Sequence, residues 1–524
     1  MSSSIQTLNR VLTSHGYAIK KSSLTPTSTQ KLRKELTVSP QMNQKFVRAA
    51  GVPAFTVYTE SPTRFYVPRC WAKEVYGPAE AEVVPDGEPL REDLQFIGKP
   101  YDYQKAIVDQ FITTGGNGLI CVPCGRGKTF MAIWCAMRIN LKFMIVVDKE
   151  FLMNQWKGEL ESLVPGIKVG ILQEDKLQVG KETIAGKSKT IPELKQICKE
   201  KNLKVGGTRD ELISRIKTVL PDFQEIETTT VSYDCTIAMI QTLVQRDFPQ
   251  DIFKLFGFTI FDECHHLGAS NFSRALLKVQ TKYMLGLSAT PTRDDGLTKV
   301  FEWFLGKPVY WEKTREPDPH VEVRCIQFTT ESPEYNEIPT DYKGEPVLAR
   351  LLTKVVECEE RNEKIAEIIK SLAEDSRRRI LVLSERISHL NAIEELLKES
   401  GLTMSYYIGG MKEEEREGGA KDARVLLASY AMASEAMNIK HLNTVILASP
   451  RKKVEQSTGR ILRVQKDQRE VHPVIVDVVD SHGMYQGQWR KRAAYYKKCA
   501  YRIQYENQTQ SDTEENADEC LLID

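Results

Sequence analysis

Leu119-Ile120-Cys121-Val122-Pro123-Cys124-Gly125-Arg126-Gly127-Lys128-Thr129-Phe130-Met131-Ala132-Ile133-Trp134 is the stretch that decides the fold. An apolar run, a glycine-bearing turn ending Gly-Lys-Thr, and apolar residues at helical spacing read as strand, loop and helix. That setting turns a Gly-Lys-Thr match into a phosphate-binding loop. Glycines let backbone N–H groups close around phosphate oxygens, and the start of the helix adds a favourable dipole. Gly125, Arg126, Gly127, Lys128 and Thr129 are therefore the candidate nucleotide-binding residues. Lys128 would reach the β- and γ-phosphates and the Thr129 hydroxyl would hold Mg²⁺. Val122 stands where the general pattern has its first glycine. Alone, the loop points to a nucleoside triphosphate without saying which machine uses it.

Around this loop lies a chain of 524 residues, too long for one ordinary core, so two to four domains are expected. Hydrophobic content of 41% and charged content of 27% describe a globular protein. The formal net charge is +1, so a nucleic-acid surface has to come from local patches. No apolar run reaches the roughly 20 residues of a membrane helix, and no signal-peptide core opens the chain, so an intracellular, soluble protein with no membrane partner is expected. Eleven cysteines are scattered without paired spacing, which suits a reducing compartment. Cys121 and Cys124 form a C-x-x-C with no second pair nearby, so zinc is not expected.

The pattern divides the chain. Residues 1–95 read as a basic leader and an accessory β-rich domain. The first 50 residues carry eight Lys/Arg against one acid, Glu35, which suits either a solvated face or a phosphate-backbone contact. Residues 96–311 alternate strand and helix. Unbroken apolar runs such as Phe143–Val147, Phe258–Phe261 and Tyr283–Leu287 fit a parallel sheet covered on both faces. After a loosely structured bridge at 312–345, a second α/β unit of similar pattern occupies 346–485 without a phosphate loop of its own. A basic, aromatic helix at 486–505 and an acidic, disordered tail at 506–524 complete the reading. The tyrosines of that helix are expected to pack on the second α/β unit, with its lysines and arginines solvated. The fold class is thus α/β, with two tandem parallel-sheet lobes.

A polar, lysine-rich stretch at about 180–225 interrupts the first lobe. Within it, Ile191–Leu203 and Asp210–Ile216 carry helical spacing on either side of a Gly206-Gly207 break, giving a helix–turn–helix insert. This pattern resembles the SAP motif, a small DNA-binding helical module. The resemblance makes Lys204, Thr208, Arg209 and Arg215 candidates for phosphate contact.

Three further motifs carry chemistry. Asp262-Glu263-Cys264-His265-His266 follows a buried strand, at the carboxyl end where open parallel sheets bind ligands. Asp262 is the candidate Mg²⁺ ligand and Glu263 the candidate acceptor of the attacking water's proton. Ser288-Ala289-Thr290 ends the next strand, and its hydroxyls are candidates to couple the site to a partner domain through side chains such as His266. In Gln456-Ser457-Thr458-Gly459-Arg460-Ile461-Leu462-Arg463, the two arginines three apart share a helical face. Such guanidinium groups suit charge developing on a transferring γ-phosphoryl. Gln104 offers donor and acceptor to an adenine edge, with Tyr101 or Tyr103 available to stack.

The order Gln104, Gly-Arg-Gly-Lys-Thr, Asp-Glu-Cys-His-His, Ser-Ala-Thr and Gln-Ser-Thr-Gly-Arg-Ile-Leu-Arg resembles a superfamily 2 helicase over about residues 95–480. The Pro-Cys-Gly-x-Gly-Lys variant is similar to the xeroderma-pigmentosum-B-like branch, and within it to the poxvirus transcript-release helicase and phage recombination helicases. The resemblance implies two recombinase-A-like lobes that close on ATP with Mg²⁺ and translocate 3′→5′ on DNA. RNA is an alternative substrate, an inactive-motor scaffold is the alternative of another class, and a transcription or repair complex is an implied partner. It further implies strand contacts by Gln155, Trp156 and Thr242 in the first lobe, and by Leu383-Ser384-Glu385-Arg386 and Ser429 in the second. Arg293 is added to the strand contacts, Glu435 to the ATP site and Gln456 to the coupling residues. Two positions depart from the family: Ala436 and Asn438 replace its usual Gly and Asp, and Asp148-Lys149 replaces a Pro-Thr-like pair.

Overall fold

In the computed structural model, residues 7–40, 54–221, 223, 226–265, 270–289, 292–293, 295–313, 315–435, 437, 439–464 and 466–506 are described. The chain forms two compact units. The first comprises residues 1–120, 129–287 and 291–309, and the second residues 121–128, 288–290 and 310–524.

The amino-terminal part of the first unit is a five-stranded sheet in the order Thr59–Glu60, Arg64–Val67, Gly16–Lys20, Arg10–Thr13, Ala81–Glu82. The stretch read as a basic leader is therefore part of this fold, since Arg10–Thr13 and Gly16–Lys20 pair antiparallel across a tight turn. Alternation marks only Arg64–Val67, where Phe65 and Val67 are buried and Arg64 and Tyr66 are half-buried; Arg10–Thr13 and Gly16–Lys20 are buried along most of their length. Helix Pro26–Glu35 starts on a Thr25 cap and proline, and lays Leu32 against the sheet domain. Arg69 fixes this domain to the α/β sheet. Its buried guanidinium donates to Gln280 Oε1 at 3.1 Å and to the Thr281 and Lys282 carbonyls. Desolvation lowers its pKa to about 10, still far above neutrality.

The α/β part of the first unit is an eight-stranded sheet, with strands in the order Lys176–Leu177, Val169–Gln173, Cys235–Met239, Phe143–Val147, Phe258–Phe261, Tyr283–Ser288, Asn117–Cys121, Pro308–Trp311. The central pairs are parallel, and Phe143–Val147 is buried at every position, as a strand covered on both faces requires. This order sets the strand before the phosphate loop beside the Ser-Ala-Thr strand, and that beside the Asp-Glu strand. The three motifs thus emerge at one sheet edge from consecutive strands.

The insert rises from this sheet on a stalk that sequence reading missed. Lys181–Ser188 pairs antiparallel with Ile226–Ser232, and Tyr233 N–H donates to Gly180 O at 2.7 Å to close its base. Above the stalk, helices Ile191–Glu200 and Arg209–Val219 bury Leu194, Cys198, Leu212, Ile213 and Ile216 in a core of their own. Each helix begins with a capping box, Thr190 with Glu193 and Thr208 with Glu211.

The second unit is a seven-stranded sheet in the order Met404–Tyr407, Val425–Ser429, Ile380–Ser384, Thr444–Leu447, Val474–Asp480, Glu322–Phe328, Arg502–Glu506, with every pair parallel. Two boundaries differ from the sequence reading. The bridge at 312–345 contains Glu322–Phe328, and the basic segment at 486–505 ends in the edge strand Arg502–Glu506. Charged residues hid both strands: Glu322 and Arg324 lie on the first, and Arg502 reaches Glu322 from the second. Helix Gly483–Lys498 packs Trp489 and Tyr496 inward, as expected for the tyrosine-bearing segment. Arg492 on it is not solvated. It is buried in a bidentate pair with Asp477, both nitrogens at 2.8 Å. A second buried pair, Arg361 with Asp480 at 2.7 and 3.0 Å, is completed by the Tyr335 hydroxyl and the Ala448 carbonyl. Losing one member of such a pair strands a buried charge, at a cost of about 3–5 kcal/mol.

Candidate nucleotide site and helicase motifs

Gly125 and Gly127 carry φ of +85° and +77°, conformations that resist a Cβ, and helix Lys128–Ile139 starts directly after them. The loop's shape is thus written by the two glycines, with Val122 supporting it from behind: Val122 is buried and its N–H donates to Ser288 O at 3.2 Å.

Arg126 stands apart from the reading that gave it to the nucleotide. Its Nε donates to Glu312 at 3.1 Å and its Nη2 to Glu316 at 3.1 Å. From the same short segment Arg315 donates to Cys124 O, so residues 312–316 grip the phosphate loop from two sides. Burial holds the Glu312 carboxyl above the usual carboxylate range, against the pull of Arg126. Glu312, Arg315 and Glu316 were passed over as part of a loose bridge; their only signal in the sequence was the alternation of charge in Glu-Lys-Thr-Arg-Glu.

In the first unit, Asp262 is oriented on both oxygens. Trp156 Nε1 donates to Oδ2 at 2.8 Å and Glu263 N–H to Oδ1 at 2.9 Å. A carboxylate held in this way would fit a Mg²⁺, whose charge it would help to balance. Trp156, only 1% exposed, supports the carboxylate with its indole N–H. Glu263 has φ of +41°, an uncommon conformation for a non-glycine residue. Its carboxylate lies 3.4 Å from His265 Nδ1.

Gln104, 4% exposed, sits at the start of helix Asp102–Thr113, where its Oε1 accepts from Tyr101 N–H at 3.0 Å. That acceptor serves a capping box. Tyr101 and Tyr103 stack on one another at 5.8 Å between centroids, and exposed Tyr101 offers its ring at the surface.

Two other first-unit candidates have partners within the fold. Thr242 is buried, and its hydroxyl accepts from Glu174 N–H. Arg293 is held by Asp295 at 2.9 and 2.5 Å and by the His265 carbonyl, and the guanidinium keeps the Asp295 carboxyl below its ordinary range. Gln155 is half-buried on helix Glu150–Leu163. Ser288 is buried at the end of its strand. His266, Thr290, Ala436 and Asn438 lie outside the described residues.

On the insert, Lys204 is exposed, but its carbonyl and that of Gly206 are taken by Arg215 Nη1, each at 2.6 Å. Arg215 thus builds the turn between the helices. Arg209 donates to Ser188 Oγ, tying the second helix to the stalk.

In the second unit, Gln456 is half-buried in the turn Glu455–Thr458, which tightens into a 3₁₀ segment Gly459–Leu462. Three residues per turn superimpose positions i and i+3. Arg460 and Arg463 accordingly converge on one acceptor, donating to Met437 O at 2.8 and 2.6 Å. Ser429 caps the next turn by accepting from Met432 N–H, and Glu435 ends helix Tyr430–Glu435. Ser384 is buried and its hydroxyl accepts from Arg386 N–H.

Comparison with known proteins agrees with this arrangement. Residues 97–293 match the family described as type III restriction enzyme, res subunit, and residues 361–466 match the helicase conserved C-terminal domain. A protein of Acanthamoeba polyphaga mimivirus named as an ATP-dependent RNA helicase, L396, is 30% identical across 94% of this chain and 86% of its own length. QP509L of African swine fever virus, also named as an ATP-dependent RNA helicase, is 25% identical across 77% of this chain and 74% of its own. A protein of Invertebrate iridescent virus 6 named as a helicase, 161L, is 27% identical across 73% of this chain and 77% of its own. The solved structure of T4 UvsW overlaps 92% of this chain at 16% identity with a TM-score of 0.30, a likeness too slight to bear on the fold.

The chain belongs to the superfamily 2 helicases, with two recombinase-A-like parallel-sheet domains. It is an ATP-dependent helicase related to those of large viruses.

Proposed function

We propose that this helicase translocates on DNA, in the manner of the xeroderma-pigmentosum-B-like branch that its Pro-Cys-Gly-x-Gly-Lys loop resembles. The observation that carries the motor reading is the convergence of three motifs at one sheet edge, with Asp262 oriented on both oxygens. Lys128 and the loop N–H groups take the β- and γ-phosphates, and Thr129 with Asp262 holds the Mg²⁺, which supplies charge neutralisation across those phosphates when bound. Glu263 orients the attacking water and accepts its proton. Arg460 and Arg463 of the second unit are assigned to the charge that develops on the γ-phosphoryl group. Opening a duplex costs about 1.4 kcal/mol per base-pair step, so the task calls for repeated turnover. Transcript release, recombination and repair are the processes such a translocase serves.

Lys128→Ala and Glu263→Gln each abolish nucleic-acid-stimulated ATP hydrolysis while leaving the melting temperature unchanged. Normal turnover in either variant refutes the assignment. RNA is the second reading, favoured by the names of the two relatives quoted above. Matched DNA and RNA strands competing for stimulation of the ATPase decide between them: the DNA reading requires the DNA strand to win at equal concentration.

A further inference from the structure

On the amino-terminal domain, cations fall into two groups. Lys21 and Arg33 are neutralised by Glu60, at 2.7 and 2.9 Å. Lys31 and Lys34, on helix Pro26–Glu35, have no carboxylate within salt-bridge distance among the described residues. They face an open groove of about 510 Å³ whose opposite wall is Gly296 and Leu297, which lead into helix Thr298–Leu305, and Lys299 in its first turn. Lys299 is likewise exposed and without a carboxylate; its ammonium lies 5.3 Å from the Trp303 ring centroid. Thr37 and Ser39 also line the groove. Its one acid, Glu35, accepts a hydrogen bond from the Trp71 indole at 2.9 Å.

Three unneutralised ammonium groups around an open groove raise the local potential, and an anionic polymer relieves it. No aromatic ring is part of the lining, so the groove offers charge and hydroxyls without a base-stacking surface. We infer that this groove binds the phosphodiester backbone of a nucleic-acid strand, without sequence preference, and extends the helicase track onto the amino-terminal domain. The inference rests on the reading that the chain moves along nucleic acid. It also places Gly296–Lys299, shortly after the Ser-Ala-Thr motif, against the bound strand.

The test is a salt titration of binding by fluorescence anisotropy, with labelled single-stranded and duplex oligonucleotides in DNA and RNA forms. Each lost phosphate contact lowers the slope of log K against log salt by about 0.7–0.9. The full chain carrying Lys31→Gln, Lys34→Gln and Lys299→Gln should therefore show a slope smaller by about 2–3, with an unchanged melting temperature. Arg33→Gln, whose native partner is Glu60, should leave the slope unchanged. An unaltered slope and affinity in the triple variant, beside a wild type that binds, overturns the groove alone. A wild type that binds none of the four oligonucleotides overturns the functional reading, and the groove falls with it.

Discussion

At the scale of single residues, the site works through supports as much as through reacting groups. Asp262 is the residue that chemistry singles out, yet its direction is set by the Trp156 indole, 106 residues away in the chain. Supports of metal ligands commonly tune affinity 10- to 100-fold. Trp156→Phe keeps an aromatic ring, though a smaller one, and removes the donor, so the Mg²⁺ concentration for half-maximal ATPase should rise by about 10-fold, with activity recovered at high Mg²⁺. An unchanged Mg²⁺ dependence would reduce Trp156 to packing. The acids, the lysine and the arginine pair were legible in sequence because each sits in a local pattern. The support was not, because residues 156 and 262 are neighbours only through strands Phe143–Val147 and Phe258–Phe261. The partners of Arg126 were hidden for the same reason: Glu312 and Glu316 lie almost two hundred residues away.

At the scale of elements, the second unit depends on a polar chain that crosses its core. Asn362 Nδ2 donates to the Val356 carbonyl, which turns Oδ1 toward His389 Nε2 at 2.8 Å. That nitrogen therefore carries the proton, and Nδ1 accepts from the Ser384 hydroxyl at 2.9 Å. The neutral ring joins helix Glu359–Ala373 to the strand carrying the Ser-Glu-Arg motif. Desolvation, aided by Arg361, lowers the His389 pKa to about 3. The sign follows from the depressed value. Between pH 6.5 and about 3 the unfolded chain binds a proton that the folded chain does not, so this contribution is whole above pH 6.5 and is lost as pH falls. From pH 7 to pH 5 the wild type should lose about 2 kcal/mol more stability in denaturant titrations than His389→Gln. Equal losses would show that the ring titrates normally in the folded state.

At the scale of the whole molecule, the sequence patterns that decided fold class were the unbroken apolar runs, whose period needs no distant partner. Strands with charged positions escaped notice: Glu322–Phe328 and Arg502–Glu506 lie toward one edge of their sheet, where one side can stay polar. The stalk of the insert escaped too, since Lys181–Ser188 and Ile226–Ser232 pair with each other across the whole length of the insert. Because the helices above it have their own buried cluster, replacing residues 181–232 with a short Gly-Ser turn should leave the melting temperature of the remainder within about 2 °C. The same deletion should weaken nucleic-acid binding and flatten its salt dependence; an unchanged slope would make the insert a spacer.

The closed base of that stalk has a consequence for how such a chain can be remodelled. Gly180 and Tyr233 are hydrogen-bonded to one another, so the polypeptide leaves and re-enters the first unit at a single point. A folded module whose ends already meet there adds little loop-closure cost to the sheet beneath and no shift to its register. The position is a socket: a module of any length whose ends meet can be exchanged there, leaving the ATPase strands as they are.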